Sequence, residues 1–135
     1  MKAHLYLYFK GDCADAVGFY RDALGAEIRA LVRFRDLPGA APGAGERVMH
    51  AEVGFGDTAI FASDGPSDSS AARGGFAVSL EAADDAEAER HFATLSAGGS
   101  IDIPLMTTPF ASRFGKVTDR YGTPWLVTTP QRTMS

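Results

Sequence analysis

The chain repeats itself. "FYRDALGAEI" at 19–28 is echoed by "HFATLSAGGSI" at 91–101, and "FGDTAIF" at 55–61 by "YGTPWLV" at 121–127. Hydrophobic periodicity gives both halves the same plan. "AHLYLYF" at 3–9 alternates, so Leu5, Leu7 and Phe9 face one way and His4, Tyr6 and Tyr8 the other. "KGD" turns the chain, with Asp12 placed to cap the helix "CADAVGFYRDAL", which carries Val17, Tyr20 and Leu24 on one face and stops at Gly25. Strands are predicted at 27–35, 47–55 and 58–63, the last two joined by the Gly56-Asp57 turn signal. The second half repeats this with a strand at 75–80, a helix at 84–97 striped by Ala88, Phe92 and Leu95, and strands at 100–105, 113–119 and 123–129. A duplicated strand–helix–strand–strand–strand unit constrains the fold strongly. One unit leaves the open face of a small curled sheet exposed, and two side by side make a trough with helices outside. The expectation is an α+β fold of two βαβββ modules in one domain spanning 1–135: module one 1–64, a linker 65–74, module two 75–130.

Composition narrows the function classes. A net charge of −4 offers no electrostatic reason to bind nucleic acid or an anionic membrane. No apolar run approaches the ~20 residues that span a bilayer. The N-terminal stretch alternates and lacks a small-residue cleavage site, so it does not read as a signal peptide. The single cysteine, Cys13, excludes an internal disulfide. A cytoplasmic protein is expected.

Five stretches carry a family resemblance: "YLYFKGDCADAVGFYRDALGAE", "MHAEVGFGDTAIFASD", "GGFAVSL", "LSAGGSIDIPL" and "FGKVTDRYGTPWLV". In this order, over nearly the whole chain, they resemble the PhnB-like branch of the vicinal oxygen chelate superfamily. That superfamily includes glyoxalase I, extradiol dioxygenases, and the fosfomycin- and bleomycin-resistance proteins. The resemblance implies paired βαβββ modules forming an open, barrel-like trough, a small-molecule ligand, and commonly a homodimer. PhnB-like sequences often carry a 3-demethylubiquinone methyltransferase label. Methyl transfer from S-adenosylmethionine normally needs a nucleotide site, and no Gly-rich strand-to-helix loop is present. "PGAAPGAGE" lacks the flanking strand and helix.

Metal-dependent members, the resemblance implies, hold one divalent ion with His, Glu or Gln from four strands on the trough face. Strand phase puts His4, His50 and Glu52 on that face, and His4 falls at the first ligand position. The other half does not supply partners. The third position falls on Gly75, beside Phe76, and the fourth on Leu126, between Trp125 and Val127. A divalent site normally takes at least three protein ligands. No metal is therefore assigned, and the expected ligand-binding wall is His4, Tyr6, Tyr8, His50 and Glu52. A divalent ion remains the alternative cofactor, for a lyase, isomerase or dioxygenase built on His4 with His50 or Glu52. An antibiotic-sequestering protein is a further alternative.

Other residues read as structural. Cys13 is a small residue packed at a helix start. Arg113, Lys116 and Arg120 read as solvated, or as a cluster for an anion. His91 and Glu87 form an exposed i,i+4 pair. The Pro/Gly/Ala loop 36–46 has no packing anchor, so high mobility is expected there.

Overall fold

The computed structural model describes residues 1–37, 45–65 and 75–130. The expected mobile loop at 36–46 and the linker at 65–74 therefore fall largely outside the described residues. The chain divides into two compact units, Met1–Ala72 and Arg73–Ser135.

In unit one, β1 (Tyr6–Tyr8) leads into α1 (Cys13–Leu24), then β2 (Glu27–Arg33), a short 3-10 turn (Phe34–Asp36), β3 (Val48–Phe55) and β4 (Thr58–Ser63). The four strands form one mixed sheet in the order β1-β4-β3-β2. β1 runs parallel to β4, and the other pairs are antiparallel. Helix α1 thus connects the two edges of the sheet. Unit two repeats this with β5 (Val78–Glu81), α2 (Asp85–Ser96), β6 (Ser100–Thr108), β7 (Ala111–Thr118) and β8 (Pro124–Thr128), in the order β5-β8-β7-β6. The repeat seen in the letters is therefore a repeat of topology.

Each unit buries one side of its sheet. Leu7, Phe9, Val17, Tyr20, Val53 and Ile60 close the core of unit one. Phe92, Leu95, Val117, Trp125 and Val127 close that of unit two. Each such side chain contributes roughly 1.5–3 kcal/mol by leaving water. Alternation therefore fixes the faces: Leu7 and Phe9 are buried while Tyr6 and Tyr8 are exposed. Cys13 is fully buried at the start of α1, as a packed small residue.

The helix ends show where local reasoning holds. Gly25 takes φ +72°, and its N–H returns to the Arg21 carbonyl, so it stops α1 as the glycine signal predicts. Asp84 caps α2 by accepting from the Glu87 N–H at 2.8 Å, while the Glu87 carboxylate takes the Ala83 N–H. Asp12 does not cap α1 with its side chain. Asp64, at the end of β4, does so from a distance. Its Oδ1 accepts from Gly11 N–H (2.7 Å) and Cys13 N–H (3.0 Å), and its Oδ2 from Val48 N–H (2.8 Å). A carboxylate already buried by the fold outcompetes one in the exposed turn.

Two further readings change. His91 is not an exposed partner of Glu87. Its side chain is 12% accessible, with Nε2 3.7 Å from the Glu87 carboxylate. Burial lowers its pKa from the ordinary value, against the pull of Glu87. Arg113 and Arg120 do not join in a free cationic cluster either. Arg113 faces Asp85 and Glu89, and Arg120 donates to the Ala97 carbonyl.

Candidate functional site on the open face of unit one

The side of the unit-one sheet facing away from its core carries the aromatic and imidazole groups. Pairing places Tyr6 beside Phe61 and Phe61 beside Glu52. His50 lies two residues before Glu52 on the same face of β3. Three rings gather around Phe61. His4 lies 4.7 Å from it between ring centroids, His50 5.2 Å and Tyr6 6.0 Å. Tyr8 stacks on Tyr6 at 5.1 Å. The structure thus brings His4, Tyr6, Tyr8, His50 and Glu52 onto one face, and adds Phe61.

One polar contact organises this face. The Tyr6 hydroxyl lies 3.0 Å from His50 Nδ1. Partial burial, together with the neighbouring Tyr8 hydroxyl, raises the Tyr6 pKa above its ordinary value. The phenol therefore keeps its proton at neutral pH, and the imidazole tautomer decides which of the two atoms donates.

Sequence reasoning missed Arg29. The pairing of β2 with β3 skips a register between Ile28 and Ala30, so Arg29 is an extra residue in a bulge. Its guanidinium lies over Gly54, where a Cβ would approach its central carbon to 2.2 Å. Gly54 is thus the residue that lets Arg29 reach this face. Arg29 Nη2 donates to the Gly56 carbonyl at 2.8 Å, and Nη1 lies 3.8 Å from Glu52. The available signal was a glycine on an otherwise side-chain-bearing strand face.

Unit two presents different chemistry at matching positions. The Phe9 N–H bonds to the Ser63 carbonyl, and the Ala82 N–H to the Thr128 carbonyl, which marks equivalent positions in the two repeats. On this register Ser79 stands where Tyr6 does, Leu126 where Phe61 does and Lys116 where Glu52 does. Two residues before Ser79 is Ala77, which takes the place of His4. On this register Gly75, the position the resemblance gave, lies two residues before Ala77. Neither alanine nor leucine binds a cation. Among the described residues, no three His, Cys, Asp or Glu side chains gather closely enough to hold a metal ion. The residues present do not fit the four-strand divalent site that the resemblance implies.

Comparison with known proteins agrees with the fold. The model of the Glyoxalase/Bleomycin resistance protein/Dioxygenase superfamily matches residues 2–127. Protein YjdN of Escherichia coli (strain K12) is 33% identical over 133 residues, covering 90% of each chain. The crystal structure of protein PA1353 from Pseudomonas aeruginosa is 35% identical, with a TM-score of 0.85, covering 97% of this chain and 100% of that one. A PhnB protein from Bacillus cereus shares the fold at 24% identity and a TM-score of 0.81, covering 96% and 99%. With the match running over nearly the whole chain, the chain belongs to the glyoxalase/bleomycin resistance/dioxygenase superfamily.

Proposed function

We propose that this protein binds a small molecule on the open face of unit one, in the trough expected of its family, without the full metal site of the catalytic members. The observation that carries the reading is the Tyr6–His50 hydrogen bond within an exposed cluster of rings. Exposed aromatic groups with a fixed polar handle suit a planar ligand, which gains from stacking and from one directed hydrogen bond. His4, Tyr6, Tyr8, His50 and Glu52 form the binding wall in this reading. The chain acts as one domain and associates as a cytoplasmic homodimer.

The test combines metal analysis with ligand screening. Protein purified without a His tag is expected to carry substoichiometric metal that His4→Ala leaves unchanged. A thermal-shift screen against small metabolites and divalent metals is expected to find organic ligands whose effect is lost in Tyr6→Ala or His50→Ala. Stoichiometric metal that disappears in His4→Ala overturns the reading in favour of a metal-dependent lyase, isomerase or dioxygenase.

A further inference from the structure

A cavity of about 450 Å³ opens at the hairpin end of the same face, beyond the rings. Lys2, His4, Arg29, Glu52 and Asp57 line it. Arg29 is the fixed cation among them. It enters from the bulge, passes over Gly54 and is tied by one hydrogen bond to the Gly56 carbonyl. Its carboxylate neighbours, Glu52 and Glu27, stand at 3.8 and 4.0 Å, beyond hydrogen-bonding range. A guanidinium has five N–H donors in a planar fork that matches a carboxylate. Most of those donors are therefore unspent among the described residues, on a group whose position the backbone already fixes. Lys2 adds a second cation without an ion pair among the described residues.

We infer that Arg29 is a ligand-recognition residue and that the cavity takes a small aromatic carboxylate, its carboxylate on Arg29 and its ring against His4. The inference rests on the reading of this face as the ligand site and names the class of ligand. Three features select the class. The guanidinium fork calls for an oxyanion. Glu52 and Asp57 line the same cavity, so a dianionic phosphate meets more repulsion than a monoanionic carboxylate. His4, lining the cavity and packed on Phe61 at 4.7 Å, continues the aromatic surface into it.

Gly54 supplies an independent test of placement. A methyl group there would collide with the guanidinium and displace it without removing its charge. Because the colliding group is the far end of a flexible side chain, Gly54→Ala should fold.

The experiment titrates the full chain with sodium benzoate, phenol and inorganic phosphate, followed by calorimetry and by NMR of assigned amides. Saturable one-to-one benzoate binding is expected, with shifts at His4, Arg29 and Glu52. Phenol and phosphate should each bind more weakly. Arg29→Gln and Gly54→Ala should each weaken benzoate by about tenfold or more, the scale of one charged hydrogen bond. Circular dichroism confirms that both variants fold. Benzoate affinity unchanged in folded Arg29→Gln, or phosphate preferred over benzoate, overturns the inference. If the metabolite screen yields ligands dependent on Tyr6 and His50 while benzoate fails to bind, the binding function stands and this inference falls. Silence of the open face toward every compound, benzoate included, overturns both.

Discussion

The two modules share a strand order and differ in how each uses a buried aspartate. Asp64 in unit one and Asp119 in unit two are 1% and 3% exposed, and each accepts at least three N–H groups. Asp119 works locally: it takes the N–H groups of Tyr121 and Thr123 and the indole N–H of Trp125, at separations of 2, 4 and 6 residues. Asp64 reaches 53, 51 and 16 residues back, to the first turn, the start of α1 and the start of β3. One carboxylate shapes a turn, and the other ties the beginning of its module to the end. Identical topology does not imply identical stabilisation. The module with the long-range tie is also the one whose open face carries the rings.

The sharpest way to break this comparison is to remove both carboxylates in turn. Asp64→Ala strands three N–H groups on separate elements and should cost about 3–5 kcal/mol in urea unfolding. Asp119→Ala should cost less, about 2–3 kcal/mol, because the freed turn amides can move toward water. Equal losses would erase the distinction. Hydrogen exchange should sharpen it further: Asp64→Ala should deprotect the first turn of α1, whereas Asp119→Ala should deprotect 119–123 only.

A second contrast lies on the open faces. Phe61→Ala removes the ring on which His4, Tyr6 and His50 converge, and should cost about 1–2 kcal/mol as a half-buried aromatic. Leu126→Ala, its register counterpart, should cost less and leave ligand binding unaltered. A Leu126→Ala variant that loses ligand would spread the site beyond unit one.

The smallest effect concerns His91. Its folded-state pKa is lowered, chiefly by burial, so the unfolded chain binds more protons. Stability is full above the unfolded value of 6.5 and falls as pH drops toward the folded-state pKa. Unfolding midpoints measured between pH 8 and about pH 5 should slope less in His91→Gln than in the parent. Parallel slopes would show that this imidazole does not titrate differently in the folded chain.

Much of the fold was legible because it rests on alternation and spacing. α1 begins at Cys13 and ends at Leu24, and β4 runs from Thr58 to Ser63, as the pattern predicts. Tyr6, Tyr8, His50 and Glu52 share a face because strand residues two apart must. Register was not legible. A bulge adds one residue with no compositional mark, so Arg29 looked like an ordinary strand residue. The apolar run suggested a strand from residue 75, whereas β5 begins at Val78. The cap of α1 was invisible for a related reason. Local rules favour Asp12, next to the helix, and no short-range pattern points to Asp64, 51 residues beyond Cys13.

The long reach of Asp64 has a consequence during synthesis. A nascent chain displays its first strand and helix-forming segment long before residue 64 leaves the ribosome. Until then the amides of Gly11 and Cys13 lack their native acceptor. Unit one should therefore close late and in a single step, while the Asp119 turn can form as soon as its own few residues emerge.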